Sequence, residues 1–268
     1  MPFVRTKGRG DPRLTEYRDI ADPVLVGSRG LFVAEGRLVV RRVIEDGRYT
    51  IQSVLVSEAA RRSLAPELES VASRAPVYVC DRPDFLDITG HDIHRGCLAL
   101  VKRPAPASLD DLLPSARTVV VLDAVANADN VGSVFRNAAA FGADAVLLSP
   151  TCCDPLYRKA IRTSMAATLR VPFVRLDEWP TSIAVVRAAG FTIIALTPRE
   201  PSEPLDAFVM RPRPPRMALL VGTEGTGLTP AVEAAADHRV NIPIRADVDS
   251  LNLAVATGIA LHRLCVSG

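Results

Sequence analysis

A chain of 268 residues has room for one large domain or two modest ones, and for a sizeable core without disulfide or metal staples. Its composition, 48% apolar and 23% charged, is globular and excludes wholesale disorder. With 32 basic against 30 acidic residues the net charge is +2, which excludes nucleic-acid binding by bulk charge alone but leaves room for a local basic face.

Residues 1–30, polar and sprinkled with Arg5, Lys7, Arg9, Arg13 and Arg18, read as an irregular arm leading to a short helix. An α/β rhythm begins at Leu31. Strands are expected at 31–36, 51–57, 77–80 and 97–102, with helices at 37–45, 58–74 and 83–88. Three prolines in 102–117 break the pattern. The domain reading is therefore an arm at 1–30, a smaller α/β domain at 31–103, a linker at 104–116 and a second domain at 117–268. In the second domain, apolar strands at 118–125, 144–149, 191–197, 216–222 and 239–244 alternate with helices at 130–141, 154–167, 178–189, 229–236 and 250–265. Strands this apolar have no solvent face, so a parallel sheet covered on both sides is expected. The five prolines between Arg199 and Arg216 read as a surface loop.

The cations are nearly all Arg, with Lys only at 7, 102 and 159. Arg suits phosphate recognition, but a GC-rich genome writes the same bias, so it decides nothing alone. The five cysteines show no Cys-x-x-Cys spacing, and no apolar leader opens the chain. Reduced thiols in a cytoplasmic protein are expected, without metal and without a membrane span.

Three segments of the second half carry chemistry. In NADNVGSVFRNAAAFG (127–142), Asp129 or Asn130 can cap a helix whose apolar face is Val134, Ala138, Ala139 and Phe141. Arg136 sits among small apolar neighbours, a poor setting for a plain solvated charge; a chain snorkelling beside the sheet is the other reading. In LLVGTEGTGL (219–228), a buried strand enters a glycine-rich turn at the ligand edge of an α/β sheet. Glu224 argues against a naked phosphate there, and a plain tight turn remains equally open. In VNIPIRADVDSLNLAVATGIALHRL (240–264), Ser250 and Asn252 bracket Leu251 at the mouth of an apolar helix, with Ser250 as its candidate N-cap.

In this order, NVGSVFR (130–136), GTEGTG (222–227) and IPIRADVDSLNLAVATGIAL (242–261) resemble the three signature motifs of the SpoU/TrmH family of RNA ribose methyltransferases, within the SPOUT superfamily. The segment from FVAEGRLVVRRVIEDG (32–47) through HRGCLALV (94–101) is similar to that family's N-terminal RNA-binding domain, with His94-Arg95-Gly96 where His-Gln-Gly is more usual. The resemblance implies a parallel-sheet SPOUT domain tied in a deep trefoil knot, preceded by a smaller α/β substrate-binding domain. It implies S-adenosylmethionine as cofactor, held at Leu196, Thr197, Gly222, Thr223, Glu224, Gly227, Ile242 and Leu251. It further implies a homodimer in which each site is completed by the partner, a tRNA or rRNA substrate, and methylation of a ribose 2′-hydroxyl.

A ribose hydroxyl is a weak nucleophile whose proton must leave as the methyl arrives. Arg136 matches the family's catalytic Arg, as a base or as an electrostatic stabiliser. Asn130, Ser250 and Asn252 would position Arg136 and the ribose, and Glu224 would anchor the glycine turn. A base nitrogen as acceptor, or a non-catalytic RNA-binding relic, are the alternatives that these motif residues argue against. The closing helix, apolar on nearly every side, points to the homodimer independently.

Overall fold

The computed structural model describes residues 3–18, 21–89 and 96–266; His94 and Arg95 lie outside them. The chain divides into two compact units, Met1–Ala105 with Leu156–Leu169, and Pro106–Pro155 with Arg170–Gly268.

The first unit carries five strands, β1 (Phe3–Arg5), β2 (Leu31–Glu35), β3 (Ile51–Ser57), β4 (Val77–Cys80) and β5 (Cys97–Lys102). They lie in the order β1-β4-β3-β5-β2. The pairs β1/β4 and β3/β4 are parallel, and β5 runs antiparallel to both β2 and β3. Helices Arg37–Asp46, Glu58–Ser63, Ala65–Ala72 and Arg82–Thr89 accompany the sheet. The expected helix over 58–74 breaks at Leu64, whose φ of −120° is not helical and which precedes the Ala65-Pro66 start of the next helix.

The expected irregular arm is structured. Phe3–Arg5 pairs with β4, and Leu14, Tyr17 and Leu25 join the core with Leu55, Tyr78 and Leu98. These apolar residues are too widely spaced for a periodic signal, so they escape a pattern search. Asp11 locks the arm: its carboxylate accepts from the backbone N–H of Lys7 and Arg13, each at 3.1 Å, and from Arg13 Nε at 2.8 Å. The Arg13 guanidinium holds that carboxyl well below the usual carboxylate range. Burial pushes the thiols of Cys80 and Cys97 up to about 12, so both are protonated and inert near neutrality.

The second unit has a seven-stranded, all-parallel sheet made of β6 (Thr118–Asp123), β7 (Ala145–Leu148), β8 (Phe173–Arg175), β9 (Thr192–Leu196), β10 (Glu203–Pro204), β11 (Met217–Gly222) and β12 (His238–Asn241). Its order is β10-β12-β9-β11-β6-β7-β8. The central strands β6, β9 and β11 are the apolar runs, buried along nearly their whole length.

Several boundaries differ from expectation. The linker is shorter: Leu112, Leu113 and Ala116 are core residues of the second unit, so this unit starts near Pro106 and a cut at 117 would open it. The helix expected over 154–167 shortens to Arg158–Thr163 and belongs to the first unit. There Arg158 donates to Asp22 at 2.8 Å, Arg162 to Glu35 at 3.1 Å, and the Tyr49 hydroxyl to the Leu169 carbonyl at 2.6 Å. The proline-rich stretch 199–216 holds β10 and a helix, Leu205–Val209, rather than loop alone. The short edge strand β8 was not expected, because three residues carry no alternation signal.

Asp11→Asn should lower stability by about 1–2 kcal/mol near pH 7, the scale of a charge-assisted hydrogen bond. Because the folded carboxyl ionises well below its unfolded value of about 4, the wild-type advantage is complete above that pH, begins to shrink as pH falls below it, and is lost in full only as pH falls through the lower folded value. The gap between urea midpoints of the two proteins should therefore narrow from about pH 5 to about pH 3; a constant gap would show that the charge is not the cause.

Candidate active site

All groups of interest lie in the second unit, at the carboxyl ends of its strands, where open α/β sheets bind ligands. Strand β6 ends at Asp123, a buried carboxylate that accepts from Trp179 Nε1 at 2.9 Å and the Thr229 N–H at 2.8 Å. The next residue, Ala124, has φ 56°, unusual for a residue with a Cβ, and its N–H donates to Ser149 Oγ at 2.8 Å. The strained loop delivers the chain to helix Ala128–Phe141. Its N-cap is Asn127, two or three residues before the expected Asp129 or Asn130, accepting from the Asp129 N–H at 2.8 Å.

Asn130 is thereby free to act as a buried helix residue rather than a cap. The buried face is Val131, Val134, Phe135 and Ala138, while Ala139 is exposed and Phe141 half-buried. Arg136 is also exposed, and among the described residues it has no hydrogen-bond or ion-pair partner. The expectation that its small neighbours would keep it from solvent is not met. Position 136 is six residues from Asn130, roughly 240° around the helix, so the two cannot share a face.

Strand β11 runs into the turn 222–228. The turn is closed by the Gly227 N–H donating to the Thr223 carbonyl at 2.9 Å. A Cβ on Gly222 would stand 2.1 Å from the Gly227 carbonyl carbon, backbone against backbone, so only glycine permits this closure. Arg199, a residue with no place in the motifs, clamps the turn. It donates to the Leu228 carbonyl at 3.0 Å, to the Thr226 carbonyl and to Glu233 at 2.8 Å, while its own N–H donates to Thr197 Oγ1 at 3.2 Å.

The third segment supplies the join. The closing helix is Leu253–Leu261, and its N-cap is Asn252, not Ser250. Asn252 Oδ1 accepts from the N–H groups of Ala254 and Val255 at 3.0 and 3.3 Å. Its Nδ2 donates to Glu224 Oε1 at 2.7 Å and to Asn130 Oδ1 at 3.3 Å. One side chain thus ties together three segments that are remote in sequence. Asn137 adds a second tie, donating to the Ala254 carbonyl at 2.6 Å. It fits because Gly258 faces it; a Cβ there would sit 3.1 Å from Asn137 Nδ2.

Between these loops lies an open pocket of about 780 Å³, the solvent in its mouth included. Leu196, Thr197, Gly222, Thr223, Glu224, Gly227, Ile242 and Leu251 all line it, as do Ser250 and the unforeseen Pro198, Ile244 and Asp249. Arg136 does not. Asn130 and Asn252 stand behind the lining, joined to it through Glu224. No His/Cys/Asp/Glu group of metal-holding geometry occurs among the described residues, and none of their helices is long and apolar enough to cross a membrane.

The sequence model of the SpoU rRNA Methylase family matches residues 117–262. A relative in Mycobacterium bovis, named an uncharacterised tRNA/rRNA methyltransferase, is 37% identical over 262 residues, 96% of this chain and 90% of that protein. Among solved structures, an AdoMet-bound rRNA methyltransferase from Sinorhizobium meliloti is 25% identical with a TM-score of 0.83, over 98% of this chain and 97% of its own. An RNA 2′-O ribose methyltransferase is also 25% identical, with a TM-score of 0.78 over 97% of this chain and 98% of its own.

Asn252→Ala removes both cap and tie and should cost at least about 1 kcal/mol of stability. Asn252→Asp keeps the cap oxygens but sets a second carboxylate against Glu224. Its deficit should shrink between 50 and 500 mM salt while that of the Ala variant stays put, as read by denaturant unfolding. Equal salt response in both would show that Glu224 does not feel residue 252.

Proposed function

As the chain belongs to the SpoU rRNA methylase family, we propose that it methylates a ribose 2′-hydroxyl of tRNA or rRNA, with S-adenosylmethionine as methyl donor. It is an S-adenosylmethionine-dependent tRNA/rRNA methyltransferase; the ribose oxygen is the finer part of the reading. The observation that carries it is the Asn252 tie, which gathers Asn130, Glu224 and the Ser250-Leu251 turn around one pocket.

The pocket fits the cofactor by the chemistry of its walls. Leu196, Val221, Ile242 and Leu251 offer apolar surface for a purine, and the turns at 197–198 and 222–227 offer main-chain groups for its edges and for a ribose. When bound, the cofactor supplies an electrophilic methyl on a positively charged sulfur. Glu224, engaged by Asn252, holds the glycine turn and does not attack anything. Ser250, in the pocket wall, and the Asn130–Asn252 pair position the acceptor ribose. Arg136 stands free to meet a phosphate; as a guanidinium remains protonated in water, its role is to orient the RNA and stabilise the developing alkoxide.

Arg136 lies outside its own chain's pocket, so the reading has each site completed across a homodimer. Val255 and Ile259 support this. They lie one turn apart on the closing helix, 51% and 38% exposed, and would be covered by the interface. The reading also takes the closing segment as the knotted part of the fold, and the first unit as the RNA-binding module. Sedimentation showing a 28.8 kDa monomer at micromolar concentration would overturn the dimer.

Transfer of tritiated methyl to RNA, followed by nucleoside analysis, tests the acceptor: label in 2′-O-methylnucleosides is expected, and label in a methylated base would refute the ribose assignment. Arg136→Ala and Arg136→Lys should each lower single-turnover rates at saturating RNA and cofactor by at least ~100-fold, about 2.7 kcal/mol, with both ligands still bound. Near-normal rates in the Ala variant would show that another group does this work.

A further inference from the structure

The pocket wall carries two carboxylates, Glu224 and Asp249, and among the described residues that line it there is no Lys, Arg or His. The guanidiniums that flank it are committed to other acids. Arg199 meets Glu233 at 2.8 Å and Arg245 meets Asp247 at 3.0 Å. Glu224 accepts from the neutral amide of Asn252, which leaves its charge uncancelled. Asp249 is exposed, and among the described residues it has no hydrogen-bond or ion-pair partner. Such a pocket repels phosphate-bearing ligands and attracts a cation.

Both acids are linked to the segment assigned above to the acceptor ribose: Asp249 precedes Ser250 in the chain, and Glu224 accepts from Asn252. On that assignment the methyl must be presented toward this segment. During transfer the methyl–sulfur bond breaks and its electron pair stays on sulfur. A bond forms from the ribose oxygen to the methyl carbon, and the hydroxyl proton passes to solvent water. The sulfur thereby passes from a charge of +1 to zero.

We infer that Asp249, with Glu224 in the same pocket wall, makes the pocket select the positive sulfur of S-adenosylmethionine over the uncharged thioether of S-adenosylhomocysteine. The inference rests on the methyltransferase reading and adds a residue that sets ligand specificity and product release. Methyl transfer itself switches off the attraction that held the cofactor, so the spent molecule leaves more readily than the charged cofactor would.

Isothermal calorimetry on the full-length protein tests this, with S-adenosylmethionine and S-adenosylhomocysteine as probes and Asp249→Asn and Asp249→Glu as variants. The wild type should bind the sulfonium form more tightly. Asp249→Asn should weaken it about tenfold and the thioether less than twofold, as expected for one lost charge at a solvent-open site. Asp249→Glu should keep most of the preference. Raising salt from 50 to 500 mM should compress the wild-type preference toward that of Asp249→Asn. Equal weakening of both ligands would overturn the inference, since the carboxylate would then face the ammonium or ribose they share, and so would no change in either. Wild-type protein that binds neither ligand would overturn the methyltransferase reading itself, an outcome distinct from a lost preference.

Discussion

One amide side chain holds the site together. Asn252 offers its oxygen to the free N–H groups of the closing helix and its nitrogen to Glu224 and Asn130. Donor and acceptor halves are both occupied, so rotation of the amide by half a turn would set oxygen against oxygen twice. That fixes the amide's orientation and, through it, the mutual placement of the turn after β11, the first turn of helix Ala128–Phe141 and the start of the closing helix. Serine could cap the helix equally well, but it cannot reach two further partners while doing so. This is the physical reason for Asn at 252 and for leaving Ser250 uncommitted in the pocket wall.

The remaining polar ties work the same way, by giving buried or half-buried backbone groups a partner that belongs to another loop. Arg199 spends its guanidinium on two carbonyls of the glycine turn and on Glu233. Asp123 reaches the Thr229 N–H and the Trp179 ring from the end of β6. Each is worth little alone in net stability, yet each would be expensive to leave half made. The glycine turn that borders the pocket is therefore main chain held by distant side chains, which suits recognition of a ligand by backbone groups.

Much of this architecture was legible. The unbroken apolar runs at 118–125, 191–197 and 216–222 could only be interior parallel strands, and they are. Every residue expected to hold the cofactor borders a single pocket, because turns at strand carboxyl ends converge wherever a parallel sheet places them. What escaped has physical causes. Leu14, Tyr17 and Leu25 pack from an aperiodic arm, so no period marks them. Helix Arg158–Thr163 sits in the sequence of one unit and folds with the other through ion pairs such as Arg158–Asp22, a long-range pairing that local patterns do not encode. Arg199 lies outside the three motifs, and Asp249 lies inside the third without a role assigned to it; only their neighbours in space give them meaning. Arg136 was misjudged in its surroundings, since small neighbours on a helix can face solvent as well as core.

An enzyme that joins a cationic cofactor to a polyanionic substrate needs opposite charges within a short distance without letting them cancel. This chain has them. Among the described residues, the pocket lining holds Glu224 and Asp249 and no basic side chain, whereas Arg136 stands outside it, exposed and without an ion-pair partner. On the proposed roles, an Arg136 near enough to pair with either acid would take the cofactor's counter-charge and the RNA's anchor together. Keeping Arg136 some 240° around the helix from Asn130 separates them by geometry, and Asn252, which is neutral, joins the acid to the helix without neutralising it. A net charge of +2 is silent on such a separation, and in the proposed homodimer a second copy's helix would bring Arg136 to the pocket, so that the opposite charges meet across the reacting pair.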